Sequence, residues 1–88
     1  MGHETWELQA RFPTGGRRFS SLAFHPTRPT LAGIQSGQTL VKFFDLQAGK
    51  VARKFNWKLG EALAVGFSPD GALAAAAFGG KIVVWDVD

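Results

Sequence analysis

Phe67-Ser68-Pro69-Asp70-Gly71, then the small apolar run Ala72 to Phe78, then Gly79-Gly80-Lys81-Ile82-Val83-Val84-Trp85-Asp86: the reading of this stretch decides the fold. Alanine is the best helix former, so an amphipathic helix through Glu61 to Ala77 competes locally. Pro69-Asp70-Gly71 in the middle of that segment argues against it, because proline removes a helical donor and its ring clashes with the preceding turn. The remaining pattern is two apolar runs rich in Ala, Ile and Val, separated by Gly79-Gly80 and preceded by Ser-Pro-Asp-Gly. That is how strands joined by tight turns are written in sequence.

The same pattern occurs earlier in the chain. A shift of 43 residues lays Phe19-Ser20-Ser21-Leu22-Ala23-Phe24-His25-Pro26 over Ala62-Leu63-Ala64-Val65-Gly66-Phe67-Ser68-Pro69, with the prolines coincident. It also lays Glu7 to Phe12 over Lys50 to Phe55, pairing Leu8 with Val51 and Phe12 with Phe55. A shift of 41 places Val41-Lys42-Phe43-Phe44-Asp45-Leu46 on Ile82 to Val87. An internal period of this length marks a repeat architecture. Turn residues at 13–16, 25–29, 36–37, 48–49, 68–71 and 79–80 divide the chain into strands near 6–12, 18–24, 30–35, 40–46, 50–55, 62–67, 72–78 and 81–87. The expected fold class is all-β, built of four-stranded antiparallel meanders.

Composition narrows the function classes. The 88 residues hold 45% hydrophobic side chains, 11 Gly and no Cys, which excludes a disulfide framework and a thiolate zinc site. Two histidines, His3 and His25, are too few for a structural metal cluster. No apolar run reaches a membrane-spanning length, and Met1 to Glu4 opens no apolar signal segment, so a cytoplasmic protein without a membrane partner is expected. Ten Lys and Arg against seven Asp and Glu give +3, with only Arg17-Arg18 and the loose set Arg53, Lys54, Lys58 clustered. Nucleic-acid binding favours a denser basic stripe interleaved with aromatic residues, and is disfavoured here. A chain this short also buries a small share of its surface, which favours oligomerisation.

On these residues the chain resembles the WD-repeat β-propeller family: Phe67-Ser68-Pro69-Asp70-Gly71 through Val84-Trp85-Asp86 is similar to one repeat. Phe24-His25-Pro26 through Phe43-Phe44-Asp45-Leu46 is similar to a degenerate copy, with Phe44 in the tryptophan's place. The family's Gly-His pair is replaced by Thr14-Gly15 and Trp57-Lys58, and its turn aspartate by Gly37-Gln38 and Gly79-Gly80. The resemblance therefore implies a hydrogen-bond network of His, Ser or Thr, Asp and Trp that cannot form in full, leaving Asp45 and Asp86 without their usual partner.

The resemblance further implies blades of four strands. Residues 17–55 make one complete blade, residues 61–88 the inner three strands of a second, and residues 6–12 an outer strand, after a flexible segment 1–5. Two blades do not close a circle. The expectation is a head-to-tail homo-oligomer in which Trp6, Leu8, Ala10 and Phe12 of one chain pair with Val84, Trp85 and Asp86 of its neighbour. A tetramer of eight blades is favoured, and a trimer of six comes second. An excised or engineered two-blade fragment with no function beyond assembly is a further reading.

Tests for chemistry fail along the chain, so no enzyme and no cofactor are expected. Gly80-Lys81 has the look of a phosphate loop, but Ala75 occupies the first glycine position and Ile82 follows the lysine. Gly33-Ile34-Gln35-Ser36-Gly37 misplaces its serine for a nucleophile elbow. His25 has no neighbouring carboxylate to orient it as a base, and Asp70 reads as a turn former. Binding is the better class. By the resemblance, one rim of loops carries Arg17, Arg18, Gln35, Gln38, Trp57 and Lys58, suited to peptide segments of other proteins or to anionic ligands such as phosphorylated peptides. The plainer alternative is a solvated rim with Trp57 packed between blades.

Overall fold

Seven strands follow the apolar runs to within a residue at each end: β1 (Phe19–Phe24), β2 (Thr30–Gln35), β3 (Leu40–Asp45), β4 (Lys50–Asn56), β5 (Ala62–Phe67), β6 (Leu73–Phe78) and β7 (Lys81–Asp86). They belong to a computed structural model that describes residues 16–88. The expected strand 6–12, with Trp6, Leu8, Ala10 and Phe12, lies outside the described residues, as does segment 1–5. No helix occurs among the described residues.

The strands form two antiparallel meanders, one in the order β1-β2-β3-β4 and one in the order β5-β6-β7. The 43-residue repeat is visible in three dimensions as well as in sequence. A bulge between Phe19 and Ser21 in β1 recurs between Ala62 and Ala64 in β5, at the equivalent positions. A bulge turns the side chains that follow it to the other face and adds local twist, so both copies present corresponding residues to corresponding sides.

Turn chemistry ends each strand as the sequence predicts. In the β5–β6 turn the Ser68 hydroxyl donates to Asp70 Oδ1 at 2.7 Å, Asp70 Oδ1 accepts the Ala72 N–H at 3.0 Å, and Gly71 takes φ of 75°. In the β3–β4 turn Asp45 Oδ1 accepts the N–H groups of Gln47 and Ala48 at 2.9 and 3.0 Å. Asp45 is thus satisfied by its own turn. Trp85 Nε1 is buried without a hydrogen-bond partner among the described residues.

The core is the seam between the two sheets. The first sheet contributes Ala32, Ile34, Val41 and Phe43, the second Ala62, Ala74, Ala76, Phe78 and Val87, all nearly inaccessible to solvent. Alternation divides the alanine run of β6: Ala74 and Ala76 enter the seam while Ala75 and Ala77 face away. The seam is a wedge. Near β1 and β5 the residues are small and the backbones approach, whereas toward β4 and β7 the gap is filled by rings. Phe43 meets Phe55 at 4.9 Å and Phe67 at 5.5 Å, and Trp57 meets Trp85 at 4.6 Å between centroids. Small residues at one end and aromatics at the other splay the two sheets.

Candidate functional site

The loops at one end of both sheets converge as a rim. The Ser36 N–H donates to the Arg18 carbonyl at 2.7 Å, tying the entry of β1 to the β2–β3 turn, and the Ala62 N–H donates to the Gln38 carbonyl at 3.0 Å, tying that turn to the start of β5. Arg18, Gln35 and Gln38 are therefore brought together. Arg17 and Arg18 are exposed, whereas Gln35 is buried and its Oε1 accepts from Lys42 Nζ at 2.9 Å. Lys58 is exposed with φ of 57°, its N–H held by Asn56 Oδ1 at 2.9 Å. Trp57 leaves this group: its ring stacks on Phe55 at 5.9 Å and an interplanar angle of 9°, and packs on Trp85 and Phe78. Half-buried in the seam, it occupies the packing position weighed against the contact-anchor reading.

One rim residue has no counterpart in the sequence reading. Glu61 Oε2 accepts the Gly37 N–H at 3.2 Å, placing a carboxylate on the cationic rim. Its helpful signal was slight: a lone acid just before β5.

A second constellation clips the seam. His25 is buried; its Nε2 lies 2.9 Å from the Gly71 carbonyl oxygen in the other sheet, and its Nδ1 accepts the N–H groups of Thr27 and Arg28 at 3.1 and 3.0 Å. A carbonyl only accepts, so the proton sits on Nε2 and every ring nitrogen is used. The ring also packs edge-on against Phe67 at 5.0 Å. Two more bonds cross the seam: Ser21 Oγ accepts the Val65 N–H at 3.1 Å, and Arg53 Nη1, on a guanidinium lying over the Phe55 ring, donates to the Val87 carbonyl at 2.7 Å. His25 is a clip between sheets, a role its local sequence does not announce.

Two carboxylates are held below their ordinary range. For Asp70 the first cause is the Ser68 hydroxyl, then the Ala72 N–H; for Asp88 it is the hydrogen bond from Arg28, then the Arg28 charge. The Arg28–Asp88 pair spans 2.6 Å with both side chains open to solvent, so salt screens it. Among the described residues no three His, Asp or Glu side chains gather as a metal site.

No protein-family model matches the chain, and no curated protein matches it. Solved structures do match. The β-propeller domain of Cps50 (Swd1) from Myceliophteria thermophila superposes on 91% of this chain with a TM-score of 0.79 at 20% identity. The fold is that of β-propeller blades. This chain spans 27% of that domain's chain. At such identity the likeness carries the fold alone, and the role rests on this chain's own residues. The first blade is β1–β4, and β5–β7 are three strands of the second.

Proposed function

We propose that the chain is a WD-repeat-type unit that associates head to tail into a propeller and serves as a non-catalytic scaffold for protein interaction. The observation that carries this reading is the unequal strand count: the first blade has an outer strand, β4, whereas among the described residues nothing pairs with the outer edge of β7. An open edge is a template for strand addition. Residues 6–12 are the repeat equivalent of β4, so the same segment from a neighbour supplies the missing strand along Val84, Trp85 and Asp86. Four chains give eight blades and three give six, each ring repeating the rim of Arg17, Arg18, Gln38 and Lys58 around its axis.

The rim suits peptide segments better than polyanions, because Glu61 sits among its turns. The anionic-ligand reading draws support from the exposed Arg17 and Arg18 and separates on salt: binding through phosphates falls steeply as salt rises. Light scattering on the 88-residue chain tests the assembly. A mass three or four times that of one chain supports it, and a concentration-independent monomer defeats it.

A further inference from the structure

Among the described residues seven large apolar side chains are exposed, and they divide between the two outward faces of the wedge. Leu22, Phe24 and Val51 lie on the first blade, away from the seam; Leu63, Leu73, Ile82 and Val84 lie on the second. Phe24 is 72% and Ile82 74% exposed. The second blade's face also holds a shallow hollow of about 220 Å³, lined by residues including Ala64, Gly66, Ala75, Ala77 and Ile82. Apolar faces of this kind mark interaction sites.

The internal repeat identifies what fits them. Leu22 and Phe24 are the equivalents of Val65 and Phe67, which the second blade presses into the observed seam. The open face of the second blade is the equivalent of the first blade's seam face, with Ala77 for Ile34, Ala64 for Ser21 and Val84 for Phe43. The two open faces are thus the two halves of a seam already built once within the chain. Their sizes compensate: where the internal seam sets Ile34 and Phe43 against Val65 and Phe67, the open faces offer the smaller Ala77 and Val84 to the larger Leu22 and the same Phe24.

We infer that a second copy of this chain covers both faces, Leu22 of one copy entering the Ala64–Ala77 hollow of the next and Phe24 seating on Val84. The inference rests on the head-to-tail reading above and adds the surface that executes it. This seam is of a different quality from the internal one. Ser68 and Arg28 stand where His25 and Gly71 form the clip, and Ala64 stands where Ser21 accepts a backbone N–H. The face-to-face part of the contact between copies therefore lacks the clip and rests chiefly on apolar burial, so it responds weakly to salt, is weakened on cooling, and separates before the internal seam does.

The test uses two variants of the 88-residue chain, each with one damaged face: Phe24→Asp and Ala77→Arg. Each alone is expected to sediment as a monomer with the wild-type circular dichroism spectrum. Mixed in equal amounts they are expected to form a heterodimer and nothing larger, since one intact half-seam remains on each. Should Ala77→Arg not fold, Val84→Arg, at a side chain 58% exposed, takes its place. If wild type assembles and both variants keep its mass, the inferred seam is wrong while the assembly reading stands. If Phe24→Asp dimerises alone, like faces meet and the head-to-tail seam is wrong. A monomeric wild type overturns both.

Discussion

Replacing Gly71 with alanine adds one methyl group where the two blades are clipped together, and its cost follows from two features of that position. Gly71 has φ of 75°, where a Cβ costs about 1–2 kcal/mol. The added Cβ would also meet the His25 ring, 2.5 Å from Nε2. That ring is fixed by Phe67 and by the Thr27 and Arg28 N–H groups, so it moves only by losing hydrogen bonds and packing, at about 1–3 kcal/mol. Gly49 is the matched control: its φ is 71° and nothing lies within 4 Å of an added Cβ. Gly71→Ala is expected to lose about 1–3 kcal/mol more than Gly49→Ala, a shift of about 1–2 M in the urea midpoint at fixed chain concentration. In a His25→Ala background the clash is gone, and Gly71→Ala should cost what Gly49→Ala costs. Equal losses at the two glycines, or an undiminished Gly71 effect without His25, would refute the clip.

Trp57→Ala is expected to destabilise the chain by about 2–4 kcal/mol in urea, because the ring fills the wide end of the seam against Phe55, Phe78 and Trp85; an unchanged midpoint would return Trp57 to the rim as a contact anchor. Acid should weaken the fold through Asp70 and Asp88. Their folded values are depressed, so their stabilisation is complete above the ordinary carboxylate range near about pH 4 and is lost as pH falls through the folded values. Urea midpoints across that range should show a shallower acid limb for Asp70→Asn than for wild type, and high salt should reduce the Asp88 share more than the Asp70 share.

The strands were legible because Val, Ile, Phe and Ala runs are bounded by Ser-Pro-Asp-Gly, Ala-Gly and Gly-Gly, whose turn geometry is local. The seam was half legible: the 43-residue shift shows that Phe67 and Phe24 are equivalent, but only the fold shows one covered and the other open. His25 was not legible as a clip, since its partner is a backbone carbonyl 46 residues away, which no side-chain motif reports. Its one trace is that the other copy has Ser68 there. Trp57 was placed by packing, because the turn of Asn56, Trp57 and Lys58 sends the indole into the seam and the ammonium to the rim. Glu61 was missed because its partner is again a main-chain N–H, that of Gly37.

Native mass spectrometry of the unmodified chain at micromolar concentration tests the assembly most directly. The account predicts a closed species of four times the 9.5 kDa chain, or three times in the smaller ring, that persists at high salt and sheds subunits on cooling. A single 9.5 kDa species at every concentration would contradict it.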